Sequence, residues 1–178
     1  MGQDKSLLPF GGYSTLTQYQ YTRLKPLFDR VYISAKTADK FPFCTDVILD
    51  PDGADYAPTA GFVSTFRTLG DERVVVLSVD TPFVGEEIFH ALLDADVSDA
   101  DAIIARTHHG THPLCGIYHR SLLHPFERMA GEGDHRLGKL LSLSRTRYVD
   151  FKDEEPFANL NRPHEYEAAV LRMSGSTL

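Results

Sequence analysis

Two aspartates stand where strand-like segments end, and each could bind a ligand. Asp80 follows the apolar run 73–79, and Asp50 ends the run 46–50. A carboxylate can hold Mg²⁺, which usually takes one or two carboxylates together with phosphate oxygens. A carboxylate can also accept hydrogen bonds from the adjacent N–H donors of a guanine ring. Structural roles stay open for both residues: Asp80 as the cap of a helix beginning near Gly85, and Asp50 as part of an Asx turn.

Polar residues near the two ends of the chain form a second group of candidates. Lys5 could neutralise a triphosphate, and the glycines that follow it allow close backbone approach. The segment is not a P-loop, because the required order of glycines, lysine and hydroxyl residue is absent. Asn159 and Asn161 place two amides on one side of an extended segment, which suits a heterocycle. The alternatives are a solvated lysine and an N-cap role for Asn161 ahead of Pro163.

Several histidines cluster in the middle of the chain. His108, His109 and His112 lie within five positions, with Cys115 nearby, which raises the possibility of a metal site. Their spacing fits no standard zinc pattern. We therefore interpret them as turn and surface residues, with His112 as a candidate for lining a substrate pocket.

Strand-like and helix-like segments alternate along the chain. This rhythm predicts a single three-layer α/β domain over residues 1–178, with a mostly parallel central sheet. The run 73–79 is continuously apolar, which is typical of a strand covered on both faces, and we expect it to be the most buried one. Ligands of such sheets bind at the carboxyl ends of the strands, where Asp50 and Asp80 stand. Strands are expected at 31–35, 46–50, 73–79, 101–105, 114–118 and 147–151, and helices at 16–28, 59–69, 88–93, 121–129, 137–143 and 163–171.

Bulk properties exclude several classes of protein. The 178 residues carry a formal net charge of -7, which disfavours nucleic-acid binding as the main task. Cys44 and Cys115 lack the density of a disulfide scaffold, so reduced thiols and a cytoplasmic location are expected. No apolar run approaches the ~18 residues of a membrane span.

The order of these segments resembles one family, the molybdenum cofactor guanylyltransferases. Residues 1–8 resemble the end of a nucleotidyltransferase signature that begins Leu-Ala-Gly-Gly and runs through Arg-Met-Gly-x-Asp-Lys. Asp80-Thr81-Pro82 resembles the magnesium-binding Asp-x-Pro segment, and 57–61 resembles a Gly-Pro-Leu-Ala-Gly element. Three further segments match this branch in particular: His112-Pro113-Leu114, Gly133-Asp134-His135-Arg136 and Asn159-Leu160-Asn161-Arg162-Pro163.

The resemblance implies a Rossmann-like nucleotidyltransferase fold and a reaction. Molybdopterin phosphate would attack the α-phosphorus of GTP, and pyrophosphate would leave with Mg²⁺ as cofactor. Asp80 would bind the metal ion and, with Lys5, act on the phosphates. Asp50 and Gly61 would contact the nucleotide. The pterin side would be formed by His112, Arg136, Asn159 and Asn161.

Two departures from the family pattern affect this interpretation. The resemblance places a β-strand and a Gly-Gly loop ahead of Met1, so we hypothesise an upstream start. A chain that began at Met1 would bind nucleotide poorly and leave a sheet edge uncovered. Ser34 stands where relatives often carry Asn.

Other functions remain open at this point. They are cytidylyl transfer to the same pterin, nucleotidyl transfer to a sugar or polyol phosphate, and a non-catalytic carrier that delivers the cofactor. Beyond GTP and molybdopterin, apo-molybdoenzymes and other cofactor-biosynthesis proteins are candidate partners. No nucleic acid and no membrane is expected to bind.

Overall fold

The computed structural model describes residues 4–50 and 58–175, in which strands and helices alternate. The expected turn at 51–53 lies outside these residues, as do 1–3 of the signature and Ala57. The strands are β1 (Ile33–Ala35), β2 (Val47–Leu49), β3 (Arg73–Leu77), β4 (Ala102–Thr107), β5 (Gly110–His119) and β6 (Thr146–Asp150). The α-helices are α1 (Leu16–Leu24), α2 (Pro58–Leu69), α3 (Glu86–Asp94), α4 (Leu123–Glu132), α5 (Leu137–Leu143) and α6 (Pro163–Gly175). Short 3₁₀-helices span Lys5–Leu7, Arg120–Leu122 and Glu155–Phe157.

The strands form a four-stranded sheet and a separate pair. The order of the larger sheet is β3-β5-β4-β6, and β1 and β2 pair in parallel. β5 runs antiparallel to both of its neighbours, whereas β4 and β6 are parallel. Three of the four strands therefore point the same way. The reversed strand follows from the tight turn at His108 and His109, because a two-residue connection can only join antiparallel strands.

Helices cover both faces of the larger sheet, which confirms the three-layer prediction. Alternate residues of β4 face opposite layers: Ala102 and Ile104 pack with α2, α4 and α5, while Ile103 and Ala105 pack with α3. In the first layer the ring of Phe62 stacks on that of Phe126 at a centroid distance of 4.3 Å. The two apolar clusters make β4 the best-buried strand.

The prediction that the run 73–79 forms the most buried strand is wrong. Arg73 is exposed, and the other residues of β3 are only partly buried, whereas β4 is buried at five of its six positions. The reason is that β3 pairs only with β5 among the described strands, so its other edge borders open space. A continuous apolar pattern indicates that both faces of a strand are covered, but it does not indicate whether both edges of the strand are paired.

Two threonines at the starts of α1 and α2 have different roles, and α2 ends at a glycine. Thr15 caps α1, since its side chain accepts a hydrogen bond from the Gln18 N–H. Thr59 does not cap α2: it is buried inside the helix, and its hydroxyl lies 2.6 Å from Nδ1 of His135. Gly70 ends α2 with a φ of 68°, a conformation that favours glycine.

Among the described residues, no helix is long and apolar enough to cross a membrane. Cys44 and Cys115 are buried free thiols.

Gly116 and Gly131 provide a matched test of the sheet packing. A methyl group on buried Gly116 would collide with the Ile103 carbonyl oxygen and would lie 2.7 Å from Ile104 Cδ1. A methyl group on Gly131, an exposed position in α4, would meet nothing within 4 Å. We expect Gly116→Ala to lower the free energy of unfolding by about 1–3 kcal/mol, as overpacking does. Gly131→Ala should raise it by about 0.5–1 kcal/mol, because alanine favours helix. Urea denaturation measures both, and equal effects would contradict the packing described for β4 and β5.

Candidate active site

The turn after β3 holds the Asp80 carboxylate at the end of that strand. The Ser78 hydroxyl lies 2.5 Å from Asp80 Oδ1, and the Thr81 hydroxyl donates to the Ser78 carbonyl at 2.9 Å. The N-cap of α3 is Gly85, so Asp80 does not cap that helix. Within the described part of the chain, Asp80 Oδ2 has no hydrogen bond. It is therefore an oxygen donor available to a ligand.

The side chain of Gln20 holds the turn after β3 in place, a role that was not predicted from the sequence. The side chain is buried on α1, and its Nε2 lies within 3.2–3.4 Å of the carbonyl oxygens of Ser78, Val79 and Thr81. Arg23 donates to Gln20 Oε1 at 2.6 Å and so orients the amide. One feature of the sequence could have predicted this role: Gln20 is an uncharged amide at a position of α1 that packs against the sheet. Such a residue needs buried partners.

The two ends of the chain meet at the Asp80 turn. The Leu160 N–H donates to the Asp80 carbonyl at 2.9 Å, and Lys5 Nζ donates to Asn161 Oδ1 at 2.8 Å. The Glu165 carboxylate accepts the Arg162 N–H at the start of α6. The Asn161 amide oxygen therefore accepts a hydrogen bond from Lys5 and does not cap α6. Lys5, Asp80 and Asn161, which were identified separately from the sequence, form one group.

Asp50, Gly61 and Ser34 form a second group. A Cβ atom on Gly61 would lie 2.8 Å from Ser34 Oγ and 3.7 Å from Asp50 Oδ1, so α2 approaches the ends of β1 and β2 closely. Asp50 Oδ1 is buried and has no hydrogen-bond partner among the described residues. Burial raises the pKa of the Asp50 carboxyl, and Lys36 and Ser34 oppose that change. An unpartnered buried acceptor of this kind is expensive unless a ligand supplies donors.

A cleft of about 800 Å³ is lined by the second group and, next to the first group, by Ser78 and Val79, which directly precede Asp80. It lies between β1 and β3, which do not pair with each other although both border it. Ser34, Asp50 and Ser78, each at or near the carboxyl end of its strand, line the cleft together with Gly61. Its apolar part includes Leu24, Phe28, Ile48, Phe62, Leu69 and Val75. The volume is in the range of ligand pockets, and polar groups converge at the strand ends, where α/β sheets bind ligands.

His112 lies at the β4–β5 hairpin and packs against the segment that leads to Asn159. Its ring stacks on Phe157 at a centroid distance of 4.4 Å, and Nε2 lies 3.0 Å from the Thr107 hydroxyl. Burial lowers the pKa of His112, with Glu154 opposing that change, so the neutral ring is favoured. Asn159 is exposed two residues beyond Phe157.

Arg136 stands apart from the other predicted site residues. It is the N-cap residue of α5, and its guanidinium forms a two-point ion pair with Asp134 at 2.8 Å. Lys139 binds the same carboxylate at 2.9 Å. In the described part of the chain, Arg136 makes no hydrogen bond or ion pair with the groups around Asp80 or Asp50.

A layered α/β fold with a polar cleft at its strand ends, next to a lysine and an aspartate, is the arrangement of a nucleotidyltransferase. Residues 1–149 match the family model described as the MobA-like NTP transferase domain. The chain belongs to this family, and it is a nucleotidyltransferase.

Named relatives agree with this assignment. The chain is 39% identical over 168 residues to a molybdenum cofactor guanylyltransferase of Campylobacter jejuni, covering 94% of this chain and 87% of that protein. It is 30% identical over 167 residues to one of Helicobacter pylori, covering 94% and 78%. The fold resembles the crystal structure of the molybdopterin-guanine dinucleotide biosynthesis protein A from Archaeoglobus fulgidus. That match has a TM-score of 0.82 at 20% identity and covers 98% of this chain and 92% of the other.

The carboxylate of Asp50, whose buried Oδ1 has no hydrogen-bond partner among the described residues, should cost stability. We expect Asp50→Asn to raise the melting temperature at pH 7 by about 2–4 °C, because an amide is easier to bury than a charge. The folded pKa lies above the unfolded one, so the cost of ionisation grows as pH rises from about 4 to the raised value. The gain should therefore disappear below about pH 4. Asp39→Asn, at an exposed position, is the control. Calorimetry from pH 3.5 to 8 measures both, and an unchanged or lower melting temperature for Asp50→Asn would contradict the assignment.

Proposed function

We propose that this protein transfers GMP from GTP to molybdopterin, forming the guanine dinucleotide cofactor and releasing pyrophosphate. The observation that carries the proposal is the meeting of Lys5, Asp80 and Asn161 beside the polar end of the cleft. Phosphate charge, a metal ion and a second substrate have to converge at one place in this reaction. The names of the similar Campylobacter and Helicobacter proteins support the same acceptor.

The phosphate side is assigned to Lys5 and Asp80. Enzymes of this class generally use a divalent metal ion, and we propose Mg²⁺ held by Asp80. The residues fit such an ion, because the Asp80 carboxylate keeps one oxygen free and the Ser78 hydroxyl orients the other. Both are hard oxygen groups of the kind that Mg²⁺ prefers. When bound, the ion would neutralise phosphate charge, and Lys5 would add a second positive charge.

The base side is assigned to Asp50 and Gly61. Guanine presents two adjacent N–H donors on its Watson–Crick edge, and the buried Asp50 Oδ1 is an acceptor that lacks a partner. The absence of a side chain at Gly61 lets α2 approach Ser34 and Asp50 closely, since a methyl group there would lie 2.8 Å from Ser34 Oγ. A cytosine ring offers one exocyclic amino group and no ring N–H on that edge, so this pair favours GTP.

The pterin side is assigned to His112, Asn159, Asn161 and Arg136. The stack of His112 on Phe157 offers a flat surface, and the exposed Asn159 amide stands two residues further on. Asn161 would connect the two substrates, because its oxygen already accepts a hydrogen bond from Lys5. Arg136 would have to release Asp134 or bind through its exposed side.

Catalysis in this arrangement is positioning and charge neutralisation. Lys5 lies near the N-terminus and Asp80 near the middle of the chain, and the Lys5–Asn161 and Leu160–Asp80 hydrogen bonds connect them. In-line attack by the pterin phosphate needs no covalent nucleophile on the protein. We propose one domain over residues 1–178 that acts in the cytoplasm, without nucleic acid or membrane.

The nucleotide and acceptor can be tested by pyrophosphate release. The protein is incubated with Mg²⁺, molybdopterin and each of GTP, CTP, ATP and UTP in turn. We expect release with GTP alone. Release with CTP would favour the cytidylyl alternative. No release with any nucleotide would contradict the proposal and favour a carrier.

Asp80→Asn separates the catalytic role from a structural one. The amide oxygen can still accept from the Ser78 hydroxyl, so the turn should survive, but the negative charge is lost. We expect turnover to fall by about 100-fold or more, with a melting temperature within about 2 °C of the unmodified chain. Asp99→Asn, at an exposed position, should change neither value. A collapsed thermal transition in Asp80→Asn would mean that Asp80 is structural, and retained turnover would remove its metal-binding role.

A further inference from the structure

The tip of the β4–β5 hairpin brings two histidine rings against one carboxylate. β4 ends at Thr107, and His108 and His109 form the turn before Gly110. The centroids of the two rings are 3.9 Å apart. His108 Nδ1 lies 2.7 Å from Glu154 Oε1, and His109 Nδ1 lies 3.0 Å from the same oxygen. Both rings therefore direct the same kind of nitrogen at one point.

Glu154 is held in place by backbone contacts. The His109 N–H donates to Glu154 Oε1 at 3.2 Å, and the Glu154 carbonyl accepts the Phe157 N–H at 3.0 Å. Its side chain is 27% exposed, against 69% and 72% for His108 and His109. The carboxylate is therefore the fixed member of the cluster, and the two rings close over it from the solvent side.

The three side chains have the composition of a transition-metal site. Their ligand atoms all lie within 4.8 Å of one another, and this is the one such group of three or more among residues 4–50 and 58–175. Bonds of about 2.0–2.2 Å to nitrogen and oxygen, in tetrahedral geometry, require ligand atoms about 3.4 Å apart. The observed separations from Glu154, 2.7 Å for His108 and 3.0 Å for His109, would have to widen by about 0.4–0.7 Å. Two imidazoles and one carboxylate suit Zn²⁺ and its neighbours better than Mg²⁺.

We propose that His108, His109 and Glu154 bind a divalent transition-metal ion of the zinc type, separate from the ion assigned to Asp80. The bound ion joins the hairpin tip to the segment that continues through Phe157 to Asn159. His108 and His109 lie in a turn at the surface, as predicted from the sequence, and the proposal adds a metal-binding role at that place. The missing ligand was Glu154, which lies 45 residues after His109 and belongs to no zinc pattern.

Zinc competition with a chromophoric chelator tests the proposal. The protein is stripped of metal, the chelating agent is removed, and Zn²⁺ is titrated in the presence of excess Mg²⁺. We expect one tightly bound Zn²⁺ per chain. His108→Ala and Glu154→Gln should weaken that binding about 10-fold or more, and Zn²⁺ should raise the melting temperature of the unmodified chain but not of these variants.

Two controls make the result specific. His124→Ala removes an exposed histidine whose Nδ1 lies 2.9 Å from Glu127 Oε2, a single pair with the same chemistry. It should leave Zn²⁺ binding unchanged. Asp80→Asn should also bind one Zn²⁺ normally, which separates this site from the proposed active site. Equal Zn²⁺ affinity in the unmodified chain, His108→Ala and Glu154→Gln would overturn the proposal. Absence of Zn²⁺ binding to the unmodified chain would also overturn the proposal. The three side chains would then form only a hydrogen-bonded cluster.

Discussion

The site depends on how the backbone carbonyls of the turn after β3 find donors. A strand that stops in the interior leaves such groups without the ladder that served its earlier residues, and buried carbonyls need partners. Gln20 supplies them, because its amide lies within reach of three carbonyl oxygens in this turn. Arg23 holds that amide in turn. Helix α1 thus positions Asp80 through the backbone of the turn and not through the Asp80 carboxylate.

The same turn uses its remaining backbone group to locate the end of the chain. The Asp80 carbonyl accepts the Leu160 N–H, so the strand end and the segment before α6 are fixed to each other by a main-chain bond. Leu160 is buried beside Phe10 and Leu16, which anchors that bond in an apolar cluster. Lys5 then reaches Asn161 across the join. The positions of the Lys5 ammonium group and the Asn161 amide therefore depend on apolar packing around Leu160, which lies outside the proposed phosphate site.

The sequence predicts the elements better than their arrangement. Helix α5 lies at the predicted 137–143, and α1 begins at the predicted Leu16, because both depend on local sequence pattern. Predicted and observed differ for β3, since its burial depends on which strands lie beside it. The contact between Lys5 and Asn161 was not predicted, because no local rule brings residues 156 positions apart into contact. The role of Gln20 was not predicted, because the function of an amide inside a helix can be inferred only when its hydrogen-bond acceptors are known.

The open edge of β3 connects stability with ligand binding. Among residues 4–50 and 58–175, β1 and β3 each have an unpaired edge at the cleft, and Asp50 Oδ1 has no hydrogen-bond donor. Both features cost free energy in the chain by itself, and both are relieved by groups that present N–H donors to the cleft. An extended segment would satisfy the strand edges, while a guanine ring would satisfy Asp50. The two ligands would occupy adjoining parts of one cavity, so each would contact walls that the other also contacts. Pairing along β3 and recognition of the base are therefore expected to be coupled through the same backbone.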